Sequence, residues 1–264
     1  MINSIRYIFG KVNGVDLDVD AEAFLNAAAI SDITIVNAIN NLVIDLKSNS
    51  LWTKFYFIYP MVGGNSTSHS YNLKNTSLYQ LTFFGGWMHT STGALPNGTN
   101  GYANTSFIPR GTVGQNSFGI SYYSRTNNIS NNGLCIMGCA DNTSPLSACT
   151  MSSIGATSTY FTLNDYTFLS IPTTGSLGLI SNNRISSIVS NYWRKNVKTN
   201  VNVTSTNTPN LNIVLAANKT NSNIQQHSSY ECAFSSSQEG FSDSEMIIYN
   251  NIVQTFQTAL GRQV

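Results

Sequence analysis

Between residues 60 and 240 the carboxylates are Asp141, Asp165, Glu231 and Glu239 alone, which leaves little material for acid–base chemistry. Glycoside hydrolysis asks for two carboxyl groups on facing surfaces, roughly 5–10 Å apart. Only Glu231 falls in a clear strand pattern, pointing opposite to Tyr230, Cys232 and Phe234, and a loop residue such as Asp141 would have to complete the pair. A Ser–His–acid set needs a positioned nucleophile and base, and the chain has no Gly-x-Ser-x-Gly elbow. A Cys–His pair has no more support. Four thiols occur, at Cys135, Cys139, Cys149 and Cys232. Cys135 and Cys139, four apart in an apolar run, share one face of a strand, and no second close pair or nearby His makes them a zinc site. They read as small buried hydrophobes. The run Asp16-x-Asp18-x-Asp20 invites a calcium loop, but Ala21 and Ala27 stand where an EF-hand needs Gly and Glu. Acidic residues leading into a helix explain it without a metal. No catalytic residue, metal or cofactor is expected.

Binding chemistry is better supplied. A sugar is held by an aromatic face together with a few placed hydrogen-bonding groups. Trp87, His89, Asn97, Asn100 and Tyr102 fall in or beside one turn-rich segment, and Tyr192-Trp193 forms a second cluster before Arg194 and Lys195. These seven residues are the candidate glycan contacts. The commoner fate of large aromatics, packing in the core or at its rim, stands as the alternative for Trp87 and Tyr102.

The elements that carry these residues change character along the chain. Residues 16–59 read as helical: the acidic entry to Ala23–Ala28, then Ile35, Val36, Ile39, Leu42, Val43 and Leu46 at helical spacing behind Ser31 or Asp32. A third pattern, Leu51, Trp52, Phe55, Ile58 and Tyr59, predicts a helix that stops at Pro60. Such short helices must bury their stripes on the sandwich or on a neighbouring subunit, which makes Val36, Ile39, Val43 and Trp52 candidate partner-docking residues. From about residue 69 to 236 the period becomes two, as in Phe118-Ile120-Tyr122, Leu211-Ile213-Leu215 and Tyr230-Cys232-Phe234. Turn signals separate these runs at Pro96-Asn97-Gly98, Asn131-Asn132-Gly133, Asn164-Asp165, Asn182-Asn183 and Pro209-Asn210. About ten to twelve strands in two sheets are predicted. Ser242-Asp243-Ser244-Glu245 is a capping box, and the helical spacing from Met246 to Leu260 predicts a closing helix.

Whole-chain composition agrees. Of 264 residues, 34 are Asn, 34 Ser and 26 Thr, while only 9% are charged. Thr suits strands and Asn and Ser suit turns, so a sheet protein with amide- and hydroxyl-rich outer faces follows. With 13 basic against 12 acidic residues, nucleic-acid binding is not expected. No apolar stretch reaches the length of a membrane span, and Met1–Phe9 is too short for a signal peptide, so cytosolic synthesis is expected.

The run Tyr230–Phe234 followed by Gly240–Met246 resembles the last strand and exit helix of concanavalin A-like (laminin-G-like) jelly rolls. Three stretches, Leu51–Gly64, Gly85–Gly93 and Pro96–Ala103, resemble bacteriophage and prophage virion proteins with a helical leader and a lectin-like sandwich. The resemblance implies a mainly β chain: a docking segment over 1–60, then a concanavalin A-like β-sandwich with its C-terminal helix over 61–264. It implies a non-catalytic structural role in a virion, on the head or the tail. Its partners would be other virion proteins, a further copy of the chain, or a host-surface glycan bound by a lectin-like face.

Overall fold

The computed structural model describes residues 11–12, 15–127, 133–152, 158–172 and 175–264. Met1–Phe9 and the Asn131-Asn132 turn signal lie outside them. Three layers make up the molecule: helices, a sheet beneath them, and a second sheet beneath that.

Helix α1 (Val19–Ala27) begins at Asp18, whose carboxylate accepts the Asp20 N–H at 3.0 Å. Lys47 reaches back to Asp18 at 2.7 Å and also meets Asp20, so the acidic run serves a helix start and an ion pair. Helix α2 (Ile33–Ser48) is capped by Asp32, which accepts from Thr34 and Ile35. The third predicted helix is a correction. Only Trp52–Lys54 makes a single 3-10 turn, and Phe55–Tyr59 is a strand paired with Cys232–Gln238. Phe57 and Tyr59 face the core between the sheets while Phe55 and Ile58 face the helices. A strand apolar on both sides shows no alternation, and its residues happened to fit a helical spacing. Ser66–Ser70 forms a short α3, and α4 (Asp243–Ala259) opens on the expected capping box: Ser242 Oγ accepts the Glu245 N–H and Glu245 takes the Ser242 N–H at 2.9 Å.

Among the described residues the two sheets of the sandwich have eight and nine strands, and Lys11–Val12 pairs with Val15–Asp16 in a separate two-stranded ribbon. The eight-stranded sheet runs, edge to edge, Val197–Asn202, Val189–Arg194, Gly178–Arg184, Phe118–Ser124, Cys232–Gln238, Gly93–Pro96, Trp87–Thr90, with Phe55–Tyr59 also paired to Cys232–Gln238. Helices α1, α2 and α4 cover its outer face. Their core joins Phe24, Leu25, Val36, Ile39, Val43, Trp52, Tyr249, Val253 and Phe256 to Tyr123, Leu179, Trp193 and Phe234 of the sheet. Val36, Ile39, Val43 and Trp52 are therefore packed on the chain's own sandwich, the first of the two alternatives for the helical stripes. The outward face of the covered sheet carries hydroxyl and amide groups, Ser121, Ser181, Ser236 and Gln238, beside Tyr123, Leu179, Trp193 and Phe234, but the helices bury it and no solvated face results. Gln238 Nε2 donates to Ser121 Oγ at 3.1 Å and Ser236 Oγ bonds the Tyr249 hydroxyl at 2.7 Å.

The nine-stranded sheet is Leu169–Pro172, Ser158–Asp165, Ser147–Ser152, Cys135–Asp141, Val214–Leu215, Tyr102–Asn104, Thr82–Phe84, with Asn218–Thr220 and Ile224–Gln225 beside it. Phe107, Phe118, Ile120, Tyr122, Met137, Phe161, Leu163, Ile180, Ile213 and Leu215 fill the space between the sheets. More strands form than the turn signals predicted because many span two to four residues. Asn182-Asn183, read as a turn, lies inside the strand Gly178–Arg184. Its amides have buried partners: Asn182 Nδ2 donates to the Thr150 carbonyl at 2.9 Å, and Asn183 exchanges two bonds with the Phe241 backbone. Those bonds offset the local turn preference. The Tyr230-Cys232-Phe234 alternation also breaks. A bulge between Cys232 and Phe234 turns Cys232 to the inter-sheet core and Phe234 to the helices. Among the described residues no helix is long and apolar enough to cross a membrane.

Candidate functional site

Residues 82–104 weave one corner of the sandwich. Thr82–Phe84 and Tyr102–Asn104 form the edge of the nine-stranded sheet, and the hairpin Trp87–Thr90 with Gly93–Pro96 forms the edge of the covered one. The turn between the two edges brings Trp87, His89, Asn97, Asn100 and Tyr102 together.

Trp87 is fixed from behind. Its Nε1–H donates to the Phe84 carbonyl at 3.1 Å and to the Tyr102 carbonyl at 3.3 Å, tying the indole across both edges. Phe83 stands edge-on to it at 5.1 Å, and His89, two residues along the same strand face, lies nearly parallel at 6.1 Å. Phe84 stacks on Tyr102 at 4.8 Å with an interplanar angle of 11°. Burial is incomplete: Trp87, His89 and Tyr102 are half-buried, Phe84 is 41% and Met88 55% exposed. Phe84 and Met88 face solvent, whereas Trp87 and Phe83 also pack against the rim of the inter-sheet core, so Trp87 shows only part of its ring.

The two asparagines have different jobs. Asn97 Oδ1 accepts the N–H groups of Thr99, Asn100 and Gly101, and its Nδ2 donates to Asn100 Oδ1 at 2.8 Å. It shapes the turn and has little left for a ligand. Asn100 Oδ1 also takes the Gly86 N–H, but the residue is exposed and its Nδ2, with two donors, makes none of the described hydrogen bonds. The approach is close enough that glycine is required at Gly85. Its φ is +69°, and a Cβ there would lie 2.2 Å from the Asn100 carbonyl oxygen.

Behind the aromatics, His69 Nδ1 and His89 Nδ1 are 2.9 Å apart, so one donates to the other. Burial, then His89 and Arg262, pull the His69 imidazole down to about 3, and burial lowers His89 as well. Both are neutral at pH 7. A folded-state pKa below the unfolded one means that stability is present above about 6.5 and lost as pH falls towards 3. Between pH 7 and pH 5 the urea unfolding free energy should fall by about 2 kcal/mol through His69. His69→Gln should flatten that part of the profile. An equal slope in the variant would remove His69 as its source.

The second predicted cluster does not join the site. Tyr192 and Trp193 are each 3% exposed and point to opposite sides of their strand. Tyr192 enters the inter-sheet core beside Phe161, and Trp193 lies under the helices. Adjacent strand residues alternate, and here both directions lead into a core. Neither is a surface glycan contact. The sequence reading missed Phe83, Phe84, Met88 and His227, which contribute rings or exposed apolar surface; the dense aromatic run from Phe83 to Trp87 was the available signal. His227 lies 6.2 Å from Tyr102 and bonds the Gly101 carbonyl.

The carboxylates are spent separately. Burial would raise Asp141, but the Thr143 hydroxyl, the Asn210 N–H and Asn221 outweigh it and hold the group at about 2. Asp165 pairs with Arg184, and Glu231 accepts from the Thr92 hydroxyl. None of the described bonds joins two of them. Glu231 precedes the strand Cys232–Gln238. The thiols of Cys135, Cys139, Cys149 and Cys232 are free and buried, Cys139 and Cys149 facing each other at 3.3 Å.

No family model matches the chain, and no curated protein does. Solved structures share its fold. Domain 4 of AbnA, a GH43 extracellular arabinanase from Geobacillus stearothermophilus, in complex with arabinotriose, matches with TM-score 0.50 and 11% identity over 76% of this chain and 98% of that one. A Trypanosoma rangeli sialidase in complex with sialic acid matches with TM-score 0.56 and 8% identity over 83% of this chain and 39% of the sialidase. A botulinum neurotoxin type C structure, described by its interaction with two ganglioside molecules, gives 0.52 and 12% over 78% and 53%. The chain thus spans about two fifths of the sialidase and about half of the toxin chain. What these structures have in common with it is a β-sandwich of two sheets.

Proposed function

We propose that the chain is a non-catalytic carbohydrate-binding module that takes glycan at the 82–104 corner. The observation that carries this reading is Trp87, pinned by two carbonyls in a half-exposed aromatic surface beside the amide of exposed Asn100. Phe84, Trp87 and Tyr102 offer apolar faces to the C–H side of a pyranose, and Asn100 offers donors to its hydroxyls. The arabinotriose-bound and ganglioside-binding proteins with the same sandwich support it. With Asp141, Asp165 and Glu231 each held in its own network, the corner's role is to bind and not to turn over.

A glycan array followed by titration calorimetry tests this. Trp87→Ala, with an unchanged near-native CD spectrum, should weaken binding at least about tenfold, equivalent to about 1.4 kcal/mol. A folded variant of unchanged affinity, or a blank array, would sink the proposal. Placement of the module on a virion, synthesised in the host cytoplasm, rests on the sequence resemblance. It is best tested by finding the intact chain in purified particles, because residues 19–48 supply part of the core and cannot be deleted without harm to the sandwich.

A further inference from the structure

The corner carries no charge. From residue 75 to residue 109 the sequence contains no Asp, Glu, Lys or Arg, and these residues include both edge pairs and the turn between them. The imidazoles add none. His69 and His89 share one Nδ1 hydrogen bond, and burial opposes protonation of either ring. Glu231, Arg262 and His227 are among the ionisable side chains that border the corner, and Arg125 lies behind it, its backbone N–H on the Glu231 carbonyl. Glu231 accepts the Thr92 hydroxyl from the far end of the hairpin. Arg262, near His69, is 1% exposed, with its guanidinium bound to the Pro60, Met61 and Ala233 carbonyls and to Gln257. His227 touches Tyr102 and is tied to the Gly101 carbonyl.

A sialic or uronic acid, or a sulfated sugar, needs a cation or a set of aimed N–H donors to replace the water lost from its anion. Here the donors on offer are neutral, the Asn100 amide and nearby hydroxyls such as Thr99 and Tyr102, beside aromatic faces that present negative π density. We propose that this site selects uncharged sugars: a neutral pyranose or furanose oligosaccharide stacked on Phe84, Trp87 and Tyr102, with acidic glycans rejected. This rests on the carbohydrate-binding reading and narrows its ligand class.

Titration calorimetry at pH 8, where an ordinary imidazole is neutral, uses lactose, cellotriose and arabinotriose as neutral probes and 3′-sialyllactose and trigalacturonate as acidic ones. At least one neutral probe should saturate the protein, with the acidic probes at least about tenfold weaker. The neutral probe's Kd should change less than about twofold between about 50 mM and 500 mM NaCl, since no charge pair is there to screen. Tighter binding of an acidic probe, abolished by Trp87→Ala, would overturn the neutral selection while leaving the carbohydrate site standing. A steep loss of affinity with salt would overturn it too. Silence from all five probes and from the array would overturn both readings.

Discussion

Asp165→Asn should lower the unfolding free energy by about 3–5 kcal/mol, read from urea midpoints at constant slope. Asp165 ends a strand of the nine-stranded sheet and Arg184 ends a strand of the covered one, so their contact at 2.9 Å clamps the two sheets together. Both side chains are almost completely out of water. Arg184 also donates to the Leu163 carbonyl at 2.6 Å and the Val203 carbonyl at 2.8 Å, while Asp165 accepts the Leu163 and Thr167 N–H groups. Even so, burial outweighs the partner on each side: it raises the Asp165 carboxyl above its ordinary value and lowers the Arg184 guanidinium below its own. The pair therefore adds little net stability over an apolar pair, but removing one charge strands the other. The asparagine keeps the shape and removes the charge, so the loss reads the stranded guanidinium. A change below about 1 kcal/mol would mean that the carbonyls alone suffice to hold it.

Much of this fold was legible wherever one face of an element meets solvent. The closing helix announced itself through Ser242 and Glu245; Phe118-Ile120-Tyr122 also alternated, although that strand is buried on both faces, because small Gly119 and Ser121 stand between its apolar residues. Legibility failed where the covered sheet meets a core on both sides. There Phe55–Tyr59 looked helical, Tyr192-Trp193 looked like a surface cluster, and Phe234 was assigned the wrong face because a bulge leaves no mark in the sequence pattern. The docking stripe of α2 was found, but a hydrophobic stripe does not say whether its partner is another chain or the same one. The candidate site was readable because its residues lie within about twenty positions of one another, so the turn chemistry that joins them is local. The division of labour between Asn97 and Asn100 was not, since it depends on which amide oxygen the turn's N–H groups find.

Arg262→Met should be the most damaging single change near the C-terminus, with a loss of about 4–6 kcal/mol. The guanidinium has no carboxylate among the described ion pairs. It is held by the Met61 carbonyl at 2.7 Å, the Pro60 carbonyl at 2.6 Å, the Ala233 carbonyl at 2.8 Å and Gln257 Oε1 at 2.6 Å. Methionine fills similar space and strips this donor from the Pro60 and Met61 carbonyls and Gln257 Oε1, each worth about 1–3 kcal/mol, while the Ala233 carbonyl keeps the Gln257 Nε2 donor at 3.4 Å. For a chain of this size the thermal midpoint should drop by about 10–20 °C. Arg262→Lys, which keeps the charge but not the planar fork, should fall between the two. The consequence reaches the 82–104 corner, because Pro60 and Met61 lead directly into Gly63–Ser70, the segment that seats His69 against His89. Amide exchange in residues 60–70 should therefore rise in Arg262→Met more than exchange in the distant strand Ser147–Ser152. Uniform acceleration across both would mean that Arg262 supports the whole sandwich and not this corner in particular.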